Sequence, residues 1–263
     1  LGQMGEAPKL EQREALEVAQ RVIRRSTVPV IVGVSAPGFA AIRSLARASM
    51  EAGAAGVMIA PPNTLRTDEQ IAGYFRQASE AIGHDVPFVL QDYPLTFSVV
   101  MTPAVIRRIV LENPACLMLK HEDWPGLEKI SALRAFERDG GMRHISILCG
   151  NGGLFLDFEL ERGADGAMTG YCFPDMLVQA VQLHADGRRD AMHDLFDAHL
   201  PLIRYEQQPG VGLTVRKYVL MRRGVIASEA QRKPAAPLSA AARAEVDYLL
   251  ERVARVDPRA ALR

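Results

Sequence analysis

The feature that most constrains the fold is an alternation between short apolar runs and longer segments with helical periodicity. The apolar runs are rich in Val and Ile, and Gly or Pro residues lie at or just beyond their ends, as at Gly33 and Pro61. Short, continuously apolar strands that alternate with helices indicate βα units and a parallel sheet covered on both faces. We predict six strands, at residues 29–34, 56–60, 86–90, 116–120, 144–149 and 166–169.

Helix signals occupy the segments between the predicted strands. Thr67, with Gln70 three residues later, has the pattern of a capping box, and Thr102 followed by Pro103 is typical of a helix start. Beyond the sixth strand the sequence predicts only helices. The predicted helices are 11–25, 39–52, 67–82, one that begins at 102, 125–138, 154–162, 174–186, 188–202, 212–223 and 240–256.

This pattern fits either a doubly wound open sheet or a (β/α)8 TIM barrel. No Gly-rich dinucleotide fingerprint follows the first strand, and the helix at 11–25 lacks a preceding strand. A barrel would therefore need further strands upstream of Leu1. Strands and helices alternate through residues 1–171, and residues 172–263 contain only predicted helices.

Composition excludes several classes of partner. The chain has 263 residues, 48% of them hydrophobic, which is enough for a sizeable core. Basic and acidic residues both number 31, so no nucleic-acid footprint or polybasic membrane surface is expected. No apolar run is long enough to span a bilayer. The three cysteines lack the spacing of a zinc site or a disulfide framework, and we expect buried thiols in a cytoplasmic protein.

Lys120 is the most informative single residue. It ends the apolar run 115–119, and it is the only lysine among the residues that directly follow the predicted strands. In a parallel barrel, chemistry occurs at the carboxyl ends of the strands. A partly desolvated lysine amine there can attack a carbonyl carbon. Alternatively, Lys120 could extend outward and pair with Glu122 or Asp123. The pattern alone leaves both interpretations open.

Several segments, in their order and spacing, resemble the dihydrodipicolinate synthase / N-acetylneuraminate lyase family. The resemblance covers nearly the whole chain. It implies a TIM barrel with a three-helix C-terminal extension, Schiff-base chemistry without a cofactor, and a homotetramer. It also implies that the first βα unit and the body of the second strand precede Leu1. Residues 1–171 would then form the barrel, starting near the end of its second strand, and residues 172–263 would form the last barrel helix and the C-terminal helical extension. The similar segments are PVIVGVSAPG (29–38), EAGAAGVMIAPP (51–62), LMLKHED (117–123), LCGNGG (148–153) and GADGAMTG (163–170).

The chain departs from this family at residues that normally carry protons. Gln3 and Met4 replace two threonines, and Gln91 replaces the proton-shuttling tyrosine when Pro94 fixes the register. Tyr93 would need a shift of strand register to take that place, so packing is its favoured role. These departures argue against a lysine-biosynthesis synthase.

One branch of the family resembles the chain more closely, namely the dehydratases of L-2-keto-3-deoxyarabonate type. That branch carries Q-D-x-P, as at 91–94, and a K-x-E arrangement, as at 120–122. It also has an aromatic-Pro-Asp element, as at 173–175, and similar segments at 200–206 and 224–227. The last two lie outside the catalytic strands, so shared chemistry alone does not account for them.

The resemblance implies a lyase that dehydrates a 2-keto-3-deoxy sugar acid through an imine on Lys120, with Gln91 and Glu122 as catalytic neighbours. A water held by Gln91, Glu122 itself, or Thr169 would carry protons. His121 alternates away from Lys120 and is expected to pack or to face the surface. Two alternatives remain open: a retro-aldol lyase that releases pyruvate, and a non-catalytic barrel that binds a keto acid. No metal is expected. The predicted substrate-binding residues are Gln3, Met4, Gly5, Asn151, Met168 and Thr169.

Overall fold

The structure is a computed structural model that describes residues 1–2 and 5–261, and the chain divides into two compact units. The first unit comprises Leu1–Gly2, Leu10–Leu148 and Arg162–Ala164. The described residues of the second unit fall in 5–9, 149–161 and 165–261. The predicted sites at Gln3 and Met4 lie outside the described residues.

The first unit alternates strands and helices as the sequence predicts. Its strands lie side by side in chain order, and the pairs β1–β2, β2–β3 and β3–β4 are parallel. The strands are β1 (Ile31–Gly33), β2 (Gly56–Ile59), β3 (Phe88–Asp92), β4 (Cys116–His121) and β5 (Ser146–Cys149), whose last residue belongs to the second unit. The helices are α1 (Gln12–Arg25), α2 (Phe39–Glu51), α3 (Asp68–Ile82), α4 (Pro94–Phe97), α5 (Pro103–Glu112) and α6 (Leu127–Arg138).

Burial explains why these short strands read as continuous apolar runs. Every residue of β2 and of β3 is buried, so neither strand needs a polar face. Val57, Ile59 and Leu90 are inaccessible to solvent, and Phe88 is nearly so. The predicted ends of two strands were early: β3 continues through Asp92, and β4 through His121. Polar side chains therefore lie within the paired strands themselves.

The second unit is mostly helical. It contains α7 (Leu156–Glu161), β6 (Gly166–Ala167), α8 (Pro174–Ala185), α9 (Arg189–Glu206), α10 (Gly212–Arg222) and α11 (Ala240–Val253). Next to β6, the Met168 N–H donates to the Cys149 carbonyl at 2.8 Å. All six strands predicted from the sequence are thus present.

The predicted end of α9 at Leu202 was wrong, because the helix continues through Pro201 to Glu206. A proline removes one hydrogen bond from a helix interior. Here three residues beyond the proline are buried: Leu202 and Ile203 pack into the core, and Glu206 pairs with Arg216 of α10 at 2.6 Å. Tertiary contacts therefore extend the helix by one turn beyond the prediction.

The three cysteines are buried and form no disulfide, as expected. They lie in β4, at the end of β5, and before α8. Among the described residues, no helix combines the length and the apolar character that a membrane crossing requires.

Helix α3 offers a direct test of the predicted cap. The Thr67 hydroxyl accepts a hydrogen bond from the Gln70 N–H at 3.2 Å, and the Gln70 side chain accepts from the Thr67 N–H. We expect Thr67→Ala to lower the free energy of unfolding by about 1 kcal/mol. Urea denaturation would measure this, with Thr64→Ala in the exposed loop nearby as the control. Equal losses in the two variants would contradict the capping role.

Candidate active site

The pairing of β3 with β4 decides which side chains meet. Gln91 lies opposite Lys120, and Asp92 lies opposite His121. Side chains alternate between the two faces of a sheet, and paired residues of neighbouring strands share a face. Gln91 and Lys120 therefore lie on one face, while Asp92 and His121 lie on the other. The Glu122 N–H continues this pairing by donating to the Asp92 carbonyl at 2.9 Å.

On the first face, three polar side chains form what we call the Lys120 cluster: Lys120, Glu122 and Gln91. The Lys120 Nζ lies 3.3 Å from Glu122 Oε1, and Gln91 Nε2 donates to Glu122 Oε2 at 2.7 Å. Gln91 and Glu122 are buried, and Lys120 is only 6% exposed. Lys120 does pair with Glu122, but it does so within the protein and not by extending into solvent. The structure thus brings together all three predicted catalytic residues.

The Lys120 cluster has the parts that carbonyl chemistry requires. A primary amine is the nucleophile, and a carboxylate within 3.3 Å can take up and return its protons. Gln91 holds one oxygen of that carboxylate and leaves the other beside the amine. The Gln91 Oε1 is buried and accepts no hydrogen bond from the part of the chain that the structure describes. It is therefore available to a substrate group or a water molecule that enters the site.

A second charged group, the Lys129 cluster, occupies the opposite face: Lys129 of α6, Asp92 and Asp123. The Lys129 Nζ lies 2.7 Å from Asp92 Oδ2 and 2.5 Å from Asp123 Oδ2. His121 is fully buried beside it, with Nδ1 3.9 Å from Asp92 Oδ2. The sequence analysis gave Asp92 and Lys129 no role and expected His121 to pack or to face the surface. The alternation of residues along Gln91–Asp92 and 120–123 could have shown that Asp92 and Asp123 lie on the face opposite Lys120, but it gives no sign of Lys129.

Burial shifts the pKa values of two side chains on this second face, Asp92 and His121. It raises the pKa of Asp92 to about 6, although the ammonium group of Lys129 opposes the shift. Burial also lowers the pKa of His121 to about 4, and the positive charge of Lys129 adds to that effect. His121 is accordingly neutral near pH 7.

The predicted residues of the second unit form a separate group. The Gly152 N–H donates to the Thr169 hydroxyl at 2.6 Å, next to Asn151, which is buried with a left-handed backbone (φ 49°). A side chain at Gly152 would collide with the amide of Gln207, a residue that the sequence analysis missed. The described residues also include Met168 and Gly5, but neither makes a contact that indicates a role in binding. No set of three His, Cys, Asp or Glu side chains in residues 1–2 and 5–261 is placed to hold a metal ion.

The two titrating groups of the second face give a pH test. With its raised pKa, Asp92 stabilises the folded state less as the pH rises from about 4 to 6, because the unfolded chain loses this proton first. His121 acts in the opposite direction, because the unfolded chain gains its proton first as the pH falls from about 6.5 to 4. The two effects offset each other in the wild type.

We expect Asp92→Asn to lose stability more steeply than the wild type on acidification from pH 6 to 4, by about 2 kcal/mol, since only the effect of His121 remains. Urea denaturation at several pH values would measure the difference. The exposed Asp85→Asn variant is the control. Parallel curves for the wild type and Asp92→Asn would contradict the assignment.

Comparison with known proteins shows which family the sequence resembles. The sequence profile of the dihydrodipicolinate synthetase family matches residues 1–253. An L-2-keto-3-deoxyarabonate dehydratase of Azospirillum brasilense is 35% identical over 237 residues, which cover 88% of this chain and 73% of that protein. A 4-hydroxy-tetrahydrodipicolinate synthase of Chlorobium luteolum is 27% identical and covers 95% of this chain and 83% of that protein.

A solved structure agrees with these matches. The crystal structure of a dihydrodipicolinate synthase from Rhodopseudomonas palustris superposes with a TM-score of 0.94 at 72% identity. The match covers 96% of this chain and 84% of that one. The parallel strands and following helices are those of this family's TIM-barrel fold. The chain belongs to the dihydrodipicolinate synthetase family.

Proposed function

We propose that the protein is a Schiff-base-forming lyase that dehydrates a 2-keto-3-deoxy sugar acid of the 2-keto-3-deoxyarabonate type. The observation that carries the proposal is the buried Lys120 amine, 3.3 Å from a buried Glu122 carboxylate. The 35% identical dehydratase supports the choice of substrate class. So does Gln91, which stands where synthases of this family carry a tyrosine, as the sequence resemblance implies.

In the first stage, Lys120 forms the imine. Glu122 accepts a proton from the ammonium form, and the neutral amine attacks the C2 carbonyl carbon of the substrate. The resulting carbinolamine loses its hydroxyl group as water, with a proton returned by Glu122, and a protonated imine remains. Because Gln91 fixes the other Glu122 oxygen at 2.7 Å, the carboxylate keeps its place while its proton moves.

In the second stage, the protonated imine serves as an electron sink. A C3 proton leaves and gives an enamine, which then expels the C4 hydroxyl group as water when that group is protonated. Gln91 cannot titrate, so we assign both proton transfers to Glu122, directly or through a water held by the Gln91 oxygen. Loss of water leaves a C3=C4 double bond. In the five-carbon substrate, one proton then leaves C5 and one leaves its hydroxyl group, while C3 and C4 each gain a proton, so that C5 becomes an aldehyde. Hydrolysis of the imine releases the 2-keto acid semialdehyde.

The proposed contacts of the substrate carboxylate and hydroxyl groups remain Gly5, Asn151, Met168 and Thr169. Of these, Asn151 and Thr169 lie close together, because the Thr169 hydroxyl accepts a hydrogen bond from the N–H of Gly152, the residue after Asn151. A homotetramer is likewise a proposal that derives from the family resemblance, and sedimentation equilibrium would test it.

A second candidate is a condensing synthase that joins pyruvate to an aldehyde. It is favoured by the 72% identical structure, which carries the name dihydrodipicolinate synthase. Both reactions begin with an imine on Lys120, so that step does not separate them. A condensing synthase would consume pyruvate together with an aldehyde, whereas the dehydratase would convert the sugar acid alone.

Borohydride trapping tests the imine. We expect incubation with pyruvate or 2-keto-3-deoxyarabonate, followed by borohydride, to add a stable mass to the peptide that contains Lys120. Lys120→Ala should lose the adduct, and the exposed Lys233→Ala should keep it. Peptide mass mapping is the measurement. A wild-type protein that folds but gives no adduct with either keto acid would leave only the non-catalytic binding barrel.

Product analysis then separates the reactions. The dehydratase should yield the semialdehyde and no pyruvate from 2-keto-3-deoxyarabonate, while a retro-aldol lyase would release pyruvate. Coupled assays for the two products would measure both. Pyruvate as the main product would overturn the dehydratase proposal and leave the imine chemistry intact.

Glu122→Gln tests the proton carrier. The amide keeps the shape of the side chain but cannot take up a proton, so we expect turnover to fall by about 10²- to 10⁴-fold. Adducts trapped over long incubation should persist, because Lys120 is still present. Steady-state kinetics and trapping on the same preparation would measure the two effects. A turnover near that of the wild type would assign proton transfer to another group.

A further inference from the structure

We infer that Lys129 is a positioning residue, which holds the Lys120 cluster in its reactive arrangement from the opposite face of the sheet. The inference rests on the proposed function, because it concerns the geometry of an imine-forming lysine. Lys129 belongs to α6. Within residues 1–2 and 5–261, Lys129 and Lys120 are the two lysines that are buried.

The two ion pairs of Lys129 involve the chain neighbours of Gln91 and Glu122, the residues that are hydrogen-bonded to each other on the face of Lys120. Gln91 and Glu122 are joined at 2.7 Å on one face. Their chain neighbours Asp92 and Asp123 both bind the Lys129 Nζ on the other, at 2.7 and 2.5 Å. One ammonium group thus bridges the end of β3 and the residue after Glu122. The same two strand ends are therefore connected by side chains on both faces.

The backbone transmits this connection. The Asp92 carbonyl accepts the Glu122 N–H at 2.9 Å, so a displacement of Asp92 moves the residue that carries the carboxylate. Lys120 is two residues before Glu122, which directly follows β4, and its amine lies 3.3 Å from the Glu122 carboxylate. A displacement near 1 Å in a reacting group can cost about 10²-fold in rate.

The Lys129 cluster must keep both its cation and its carboxylates to hold the ends of β3 and β4 in position. Asp92 is fully buried, and Lys129 is the cation that binds it. Removal of one partner from a buried ion pair leaves an uncompensated charge and is strongly destabilising. Asp92 can relieve this cost by taking up a proton, because burial already raises its pKa to about 6, or by moving toward solvent, which would also displace the neighbouring Gln91. Replacement of Lys129 and Asp92 by neutral groups removes the unpaired charge at Asp92, but it leaves Asp123 without its cation and does not restore the bridge.

The test uses the single-turnover rate of borohydride trapping with pyruvate, measured over a range of pyruvate concentrations. Lys129→Met removes the charge with little change in length. The double variant Lys129→Met/Asp92→Asn removes both charges of the Lys129–Asp92 pair. It replaces the single variant in the test if the single variant fails to fold. Lys129→Arg keeps a cation that can bind two carboxylates. Lys233→Met, at an exposed lysine, is the matched control. Thermal melting confirms that each variant is folded at the assay temperature.

We expect the saturating rate of trapping to fall about 10- to 100-fold in Lys129→Met and in the double variant, with half-saturation changed by less than about threefold. Lys129→Arg should recover part of the rate, and Lys233→Met should match the wild type. A purely structural role would lower the melting temperature and leave the saturating rate of the folded protein unchanged, and that result would overturn the inference. A wild-type protein that is not trapped would instead overturn the proposed function, and the inference with it.

Discussion

The register between β3 and β4 is the constraint on which the site depends. Because Gln91 lies opposite Lys120, the amide and the amine share a face, and Glu122 can bind both. Because Asp92 lies opposite His121, the next residues along the same strands form a separate polar layer against α6. A shift of one residue in either strand would exchange these sets. Backbone pairing therefore determines which of the neighbouring acids, Glu122 or Asp123, lies beside Lys120.

This arrangement keeps two buried lysines apart although their partners are neighbours in sequence. Each ammonium group is matched with carboxylates on its own face, Lys120 with Glu122 and Lys129 with Asp92 and Asp123. Buried charges of this kind contribute little net stability and need complete pairing to be tolerated. Their role is to fix the positions of groups whose chemistry is sensitive to small changes in distance. Both the proposed imine chemistry and the proposed role of Lys129 follow from that arrangement.

Much of the fold could be predicted from local pattern. The six strands and the helix starts at Thr67 and Thr102 followed from apolar periodicity and capping chemistry, which act within a few residues. The end of α9 was missed because burial beyond Pro201 is a tertiary effect. For the site, the position of Lys120 at a strand end suggested a reactive amine, but the resemblance to a known family was needed to favour that interpretation over a surface ion pair. The bond between Lys129 and Asp92 joins residues 37 positions apart, and no local pattern encodes it. Gln207 was missed for the same reason.

The burial of Cys116 has a practical consequence. This thiol lies at the start of β4, the strand that carries Lys120, and burial raises its pKa to about 12. A thiol reagent in neutral solution reacts with exposed thiolate, so Cys116 becomes reactive only when β4 separates from its neighbours. The rate at which Cys116 is alkylated under native conditions thus reports how often β4 opens. Alkylation of this thiol therefore measures the local stability of the strand that carries Lys120.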